Sequence, residues 1–303
     1  MIQLNNFLIR RAQPEDKPTV VAFCQFSFEN EVDYIPDVWD FWLTDCAGQV
    51  LVAVLNGLPV GMSRVLRLSQ HEGWWEGLRV DRAYRQQGIG HLLFEATVAE
   101  ARSLGIETLR TCISVKNSVM QRYVNRQGFT PREEYAVYKA QAIAECSRQL
   151  QPLDQSAIET VWAGIGAFEV QSPEPLVVRR GAKWQALTQK FLATRLEKGW
   201  VWGDICDRSV RSLFIRSEME NPTGNLWIGW LGASAKALPV ALEDMRRLAY
   251  QGGFEAVGGF LPQTLVLKQA LEKGNYCFSD TAAYCVYEKL LSEEGQHRIV
   301  VTD

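Results

Sequence analysis

The alternation of apolar and polar positions marks out a succession of short elements in the first half of the chain. Residues 7–10, Phe-Leu-Ile-Arg, predict a short strand. Pro14-Glu15-Asp16-Lys17-Pro18 predicts a helix entry, with acids and prolines in its first turn. Residues 50–55 form a continuous apolar run, Asn56-Gly57 is a strong hairpin dipeptide, and residues 60–68 resume strand character. With a third strand over 74–80, these segments predict an antiparallel meander. Residues 90–104 switch to a helical period. Leu92, Leu93, Ala96 and Ala99 share the apolar face, Glu95 and Arg102 lie on the wet one, and Gly105 stands at the C-cap. A strand over 108–115 leads to a helix over 117–127 that stops at Gly128. The expected order is β-α-β-β-β-α-β-α, an α+β domain built on a mixed α/β sheet.

Residues 141–156 are polar and carry Pro152, so the sequence divides there into domains 1–148 and 149–303. The second half echoes the first. Trp227-Ile228-Gly229-Trp230-Leu231 aligns with Trp75-Glu76-Gly77-Leu78-Arg79, and Gly253 to Val257 aligns with Gly105 to Leu109. Each is followed by a helix ending at a glycine, Gly274 or Gly128, as a duplication would give.

Composition narrows the function classes. At 303 residues, 47 % hydrophobic and 22 % charged, the chain can build two ordinary cores. A net charge of −3 and no long basic run argue against a nucleic-acid partner. The seven cysteines are odd in number and none forms a CxxC pair, so neither zinc nor any other metal, nor a disulfide framework, is expected. That usage fits a reducing, cytoplasmic setting. The start of the sequence lacks a basic-then-apolar leader, and no apolar run approaches the roughly 20 residues that span a bilayer, so no membrane association is expected. Three histidines (His71, His91, His297) and no GxSxG leave little material for hydrolytic triads.

The most informative stretch is residues 80–91, between a predicted strand and a predicted helix. Arg85-x-x-Gly88-x-Gly90 removes side chains where backbone must approach something closely and permits positive φ. Consecutive amides there, with the helix N-terminus, would cradle an anion, and a pyrophosphate suits the size. Taken alone, the same pattern is also what a glycine-rich turn capping a strand and a helix would show. Gly164-Ile165-Gly166 shares the GxG core but has no basic residue three before it, and reads as structural. The third glycine of a dinucleotide fingerprint is absent, Leu93 standing in its place.

The series strand, Arg-x-x-Gly-x-Gly, helix, strand, Asn117, helix, Gly128-Phe129 resembles the GNAT family of N-acetyltransferases over residues 7–140. The resemblance implies the acyl-CoA N-acyltransferase fold, here in two tandem copies, and acetyl-CoA as cosubstrate. It implies that amides of Leu78, Arg79 and Val80 hold the pantetheine and acetyl carbonyl. The pyrophosphate would rest on Arg85, Gln86, Gln87, Gly88, Ile89, Gly90 and the amide of His91, with Asn117 facing the cofactor arm. Glu76 is the candidate general base: its neighbours Trp74, Trp75, Gly77 and Leu78 offer an apolar setting that strengthens a carboxylate as a proton acceptor. A surface glutamate paired with an arginine such as Arg79 is the alternative. The family's acidic tyrosine stands four residues before Gly-Phe. That place is Val124 here, and Tyr123, rotated about 100° on a helix, is either the general acid or a packing residue.

In the second half Glu76 aligns with Ile228, and 232–239 lacks the glycine loop, so this half is expected to be a degenerate copy without a CoA loop. It would complete the acceptor pocket or make a homodimer; the alternative is an unrelated α/β module whose likeness to the first half is accidental. The acceptor is expected to be a small-molecule amine. Glu29, Glu31, Asp33 and Tyr34 are candidates to attract it, unless they form a solvated acidic face. Residues 32–36 and 76–80 are similar to the vertebrate histidine N-acetyltransferase group, which favours a free amino acid. The competing function is a non-catalytic acetyl-CoA sensor or scaffold.

Overall fold

The computed structural model describes residues 7–25, 27, 32–145, 148–168, 174–219, 224–279 and 283–291. Its elements run β1 (Phe7–Arg11), α1 (Lys17–Cys24), α2 (Ile35–Thr44), β2 (Gly48–Leu55), β3 (Leu58–Arg67), β4 (Glu72–Val80), α3 (Ile89–Ser103), β5 (Thr108–Ser114), α4 (Ser118–Arg126) and β6 (Thr130–Gln141). Then come β7 (Gln151–Pro152), α5 (Ile158–Ile165), β8 (Leu176–Arg179), β9 (Lys183–Ala186), α6 (Gln189–Glu197), β10 (Val201–Cys206), β11 (Ser209–Arg216) and β12 (Asn225–Ala233). The last are α7 (Leu238–Gln251), β13 (Ala256–Pro262), α8 (Leu265–Lys273), β14 (Cys277–Phe278) and β15 (Tyr284–Leu290). Two compact units result. One reaches to Thr111 and takes in Glu288 to Leu291; the other runs from Cys112 to Tyr287. Among the described residues no helix is long and apolar enough to cross a membrane.

In the first unit β2 is buried on both faces, which is why its sequence is an unbroken apolar run rather than an alternation. Val50, Val52 and Val54 pack with Val20, Phe23, Ile35, Trp39 and Trp42 of α1 and α2. Leu51, Ala53 and Leu55 pack with Ile89, Leu93 and Ala96 of α3. β1, β2, β3 and β4 are antiparallel neighbours, and Asn56 (φ 51) and Gly57 (φ 82) make the expected β2–β3 turn. β5 joins β4 in parallel. One helix escaped the sequence reading: α2, whose Trp39 and Trp42 are buried and whose first turn carries Pro36. Ten residues with six aromatic or branched apolar side chains mimic a buried strand unless the three-residue Trp spacing is weighed.

The second unit repeats the plan. β10, β11 and β12 form an antiparallel meander, and β12 pairs in parallel with β13. α5 and α6 cover one face around Leu213, Ile215 and Trp230; α7 and α8 cover the other around Leu231, Val257 and Leu261. The predicted division at 148/149 lies inside this unit. β6 pairs along its length with β13, from Gln141↔Ala256 to Tyr135↔Pro262, and so lies with the second sheet. The alignment of the halves has a structural signature. The β3–β4 register slips opposite Gly77, and the β11–β12 register slips opposite Gly229, the two positions the sequence echo equates.

Candidate functional site

β4 carries the expected site, and its bulge determines which side chains face where. Trp75 turns toward α3, where Nε1 donates to Ser63 Oγ (2.9 Å) and the ring meets Phe94. Glu76 turns to the opposite face, toward Arg64 and Trp42. Gly77 then takes φ 71, and a Cβ there would sit 2.9 Å from the Trp42 ring, so glycine is required twice over. The extra residue resets the alternation: Leu78 and Val80 join the α3-side cluster, and Arg79 shares the face of Glu76. The parallel ladder to β5 registers Glu72–Trp74 with Thr108–Arg110 and stops there, although β4 runs on to Val80.

Beyond Val80, Asp81 caps a single turn by accepting from the Ala83 amide (2.9 Å), and Arg85 Nε folds back onto the Val80 carbonyl (3.0 Å). Gln86 is left-handed (φ 62) and so is Gly88 (φ 86), which is the N-cap of α3. Among the described residues the N–H groups of Gln86, Gln87 and Gly88 make no hydrogen bond within the protein. The first-turn amide of Ile89 has no intrahelical acceptor either, and the buried Ile89 side chain fixes the helix start. His91 differs from expectation. Its amide donates to the Gly88 carbonyl (3.0 Å), so it belongs to the helix rather than to the cradle.

Among the described residues, a Cβ on Gly88 would meet nothing within 4 Å, and one on Gly90 would meet only Val80 Cγ2 at an ordinary 3.7 Å. Gly88 is explained by its φ. Gly90 is helical, and among the described residues a Cβ there would make only that ordinary contact. Unsatisfied amides at the positive end of a 15-residue helix favour an anion there. A diphosphate fits this donor set, which would hold it through backbone rather than through a single cation.

Glu76 is not in an apolar setting. Its Oε1 accepts from Arg64 Nη1 (2.5 Å), and Arg64 also donates to Asp45. The sequence alternative of an arginine partner thus describes it, with Arg64 rather than Arg79 as the partner. Arg64 stands in the middle of a buried strand, Met62-Ser63-Arg64-Val65. A charge in that place was the available signal for a functional network. Arg79 instead forms a two-pronged pair with buried Asp33 (2.7 and 3.1 Å) and stacks over Tyr34. Asp33 is therefore neutralised and not a lone acid awaiting an amine. Burial pushes the nearby Cys24 thiol up to about 12, with Asp33 adding to the shift. Glu29 and Glu31 lie outside the described residues.

Asn117 and Tyr123 belong to the second unit. Asn117 caps α4, its Oδ1 accepting from the Met120 amide (3.0 Å), and Tyr123 is half-buried one position before the buried Val124. In the same unit the counterpart of the cradle is missing. The connection after β12 is short, Ala237 and Leu238 amides donate to the Ser234 carbonyl, and Pro239 has no N–H to offer. The β12–β13 ladder ends at Ile228↔Gly259, and beyond it only about 10 Å3 is left between Gly229, Trp230, Phe260 and Leu176 of β8. Trp184 of β9 packs against Tyr135 and Phe260 beside it. Such a gap holds about one water. Ile228, aligned with Glu76, is buried.

The model of the acetyltransferase (GNAT) family matches residues 14–129. No curated protein matches the chain. Among solved structures, the GCN5-related N-acetyltransferase from Sphaerobacter thermophilus is similar over 95 % of this chain and 96 % of its own, at 14 % identity and a TM-score of 0.59. A tandem GNAT protein from the clavulanic acid biosynthesis pathway covers 95 % of this chain and 100 % of its own, at 11 % identity and a TM-score of 0.54. A glucosamine N-acetyltransferase region of a fungal multi-domain β-N-acetylglucosaminidase covers 93 % of this chain and 38 % of its own, at 11 % identity and a TM-score of 0.62. These likenesses span both halves, so the fold is a tandem one.

Proposed function

Because residues 14–129 belong to the acetyltransferase (GNAT) family, we propose that the chain is an acetyl-CoA-dependent N-acetyltransferase acting on a primary amine of a small molecule. The observation that carries this is the run of Gln86, Gln87 and Gly88 amides at the N-terminus of α3, which have no hydrogen-bond partner among the described residues. The cradle of Gln86–Ile89 amides would hold the diphosphate of acetyl-CoA, which supplies the acetyl thioester. The β4 edge beyond Trp74 would receive the pantetheine, with the Leu78, Arg79 and Val80 amides as candidate donors to the thioester carbonyl. Preorganised donors of that kind stabilise the oxyanion that forms on attack.

The acceptor must reach the thioester as a free base, although an α-amino group near pKa ~8 is mostly protonated at neutral pH. Glu76 is the residue we assign to accept that proton. A positioned base contributes roughly 10²- to 10⁴-fold. Attack forms the N–C bond, collapse of the adduct breaks the C–S bond, and the thiolate leaves to be protonated by solvent. A free amino acid is the acceptor class we favour, on the likeness of residues 32–36 and 76–80 to the histidine N-acetyltransferase group.

One observation supports a rival reading, an acetyl-CoA-binding protein without turnover: Glu76 is engaged with Arg64. Thiol release separates the two. Incubation with acetyl-CoA and a panel of amino acids and polyamines should liberate CoA with at least one acceptor. Binding of acetyl-CoA with no release across the panel would favour the rival.

A further inference from the structure

Arg64 is 1 % exposed, yet it serves two carboxylates drawn from two other segments. Nη1 donates to Glu76 on β4 (2.5 Å), and Nη2 donates to Asp45 in the turn between α2 and β2. Trp42 lies against the guanidinium, 4.6 Å from ring centroid to Cζ. A Cβ on Gly48 would collide with the same guanidinium, so that glycine makes room for it. Nε has no partner among the described residues, so the two carboxylates are what hold the group in place. The cluster carries one positive and two negative charges. Asp45 stands at its outer end, lining a cavity of about 210 Å3 with Trp42, Thr44, Cys46 and Gln49.

We propose that Arg64, anchored by Asp45, is the positioning residue of Glu76, fixing its orientation on the cleft strand and setting the pH range over which it accepts a proton. This rests on Glu76 being the base. The physical reason is that one guanidinium is shared. A cation beside a carboxylate favours the charged form, and a second carboxylate on the same cation weakens that effect and adds repulsion. Removing Arg64 must therefore make Glu76 hold its proton to higher pH, and removing the charge of Asp45 must do the opposite. Among the described residues the other charged pairs of this face are Asp33 with Arg79, beside Tyr34 and the Cys24 thiol of α1, Lys17 of α1 with Asp40 of α2, and Arg10 of β1 with Asp16, while Asp37 of α2 is exposed.

The test is the pH dependence of kcat/KM for the full chain with one acceptor, so that the amine's own titration is common to all variants. Acetyl-CoA binding is measured by calorimetry alongside. Arg64→Met should move the acid side of the profile up by about one pH unit, the low end of the effect of a neighbouring arginine. Arg64→Lys should restore part of the shift, and Asp45→Asn should move the acid side down. Acetyl-CoA affinity should stay within a factor of about two in Asp45→Asn, since the diphosphate is held by amides elsewhere. Shifts of the same sign in Arg64→Met and Asp45→Asn would overturn the proposal. So would lower rates with an unmoved profile, the outcome of a merely structural role. If Arg64→Met does not fold, Asp45→Asn alone decides: an unmoved or raised acid side refutes it. Glu76→Gln distinguishes the two layers. A parental rate there removes the base assignment itself, whereas a slow Glu76→Gln with unmoved Asp45→Asn and Arg64→Met profiles removes only the role of Arg64.

Discussion

Gly88 and Gly90 lie two residues apart and are glycine for different reasons. At Gly88 the left-handed φ penalises any side chain, and alanine there should cost about 1 kcal/mol of stability. At Gly90 alanine meets only an ordinary contact, and in a helix it is the better residue by roughly 0.5–1 kcal/mol. Thermal unfolding should therefore fall for Gly88→Ala and hold or rise for Gly90→Ala. A fall for both would mean that Gly90 is structural. These glycines were legible in the sequence because residue type and spacing alone imply bare backbone. The partners of Glu76 and Arg79 were not legible. Asp33 is 46 residues from Arg79 and Arg64 is 12 from Glu76, and no local period links such pairs. Titration also belongs here. The native Cys24 thiol is raised from an ordinary value near 9 to about 12, so the folded state holds its proton where the unfolded state loses it. That contribution to stability is complete below pH 9 and is lost as pH rises from about 9 to about 12. Cys24→Ala should flatten the fall of denaturation midpoint across that window; a slope identical to the parent would contradict it.

Strand β4 shows how one inserted residue organises a site. The register slip at Gly77 places Glu76 and Arg79 on one face and Leu78 and Val80 on the other. Gly77→Val would combine positive φ on a branched residue with a clash against Trp42, and should cost upwards of about 2 kcal/mol in denaturant unfolding. Retained stability would show that the bulge is not required. The strand is also pinned to α3 through a buried relay. Trp75 Nε1 donates to Ser63 Oγ, and Thr97 Oγ1 lies 2.9 Å from the same oxygen. Ser63→Ala should cost about 1–3 kcal/mol by leaving the indole N–H without its acceptor. The meander, α3 and its glycine stop were readable as periods of two and of 3.6. α2 was not, because dense aromatic residues erase the contrast between its faces. The bulge was invisible until a ladder showed the slip, yet the match of Gly77 with Gly229 was already present in the sequence.

The two units share a plan and differ where the strands part. Among the described residues the second has no glycine loop after β12, about 10 Å3 is left where β12 and β13 cease to pair, and Ile228 stands where the first has Glu76. Aligning the halves by sequence paired Glu76 with Ile228, while the division of the chain was harder to see. Strand β6 follows α4 directly, but its partner β13 lies more than a hundred residues further on. Such a pairing leaves no trace in local composition. The Arg110 guanidinium likewise draws Glu288 into the first unit at 2.7 Å. The chain should therefore bind acetyl-CoA once, at the loop before α3. Calorimetric titration of the full chain with acetyl-CoA tests this most directly. It should show one site per chain, with affinity falling about tenfold or more, some 1.4 kcal/mol, in Gly90→Ala. Absence of binding, two sites per chain, or an unchanged affinity in that variant would contradict it.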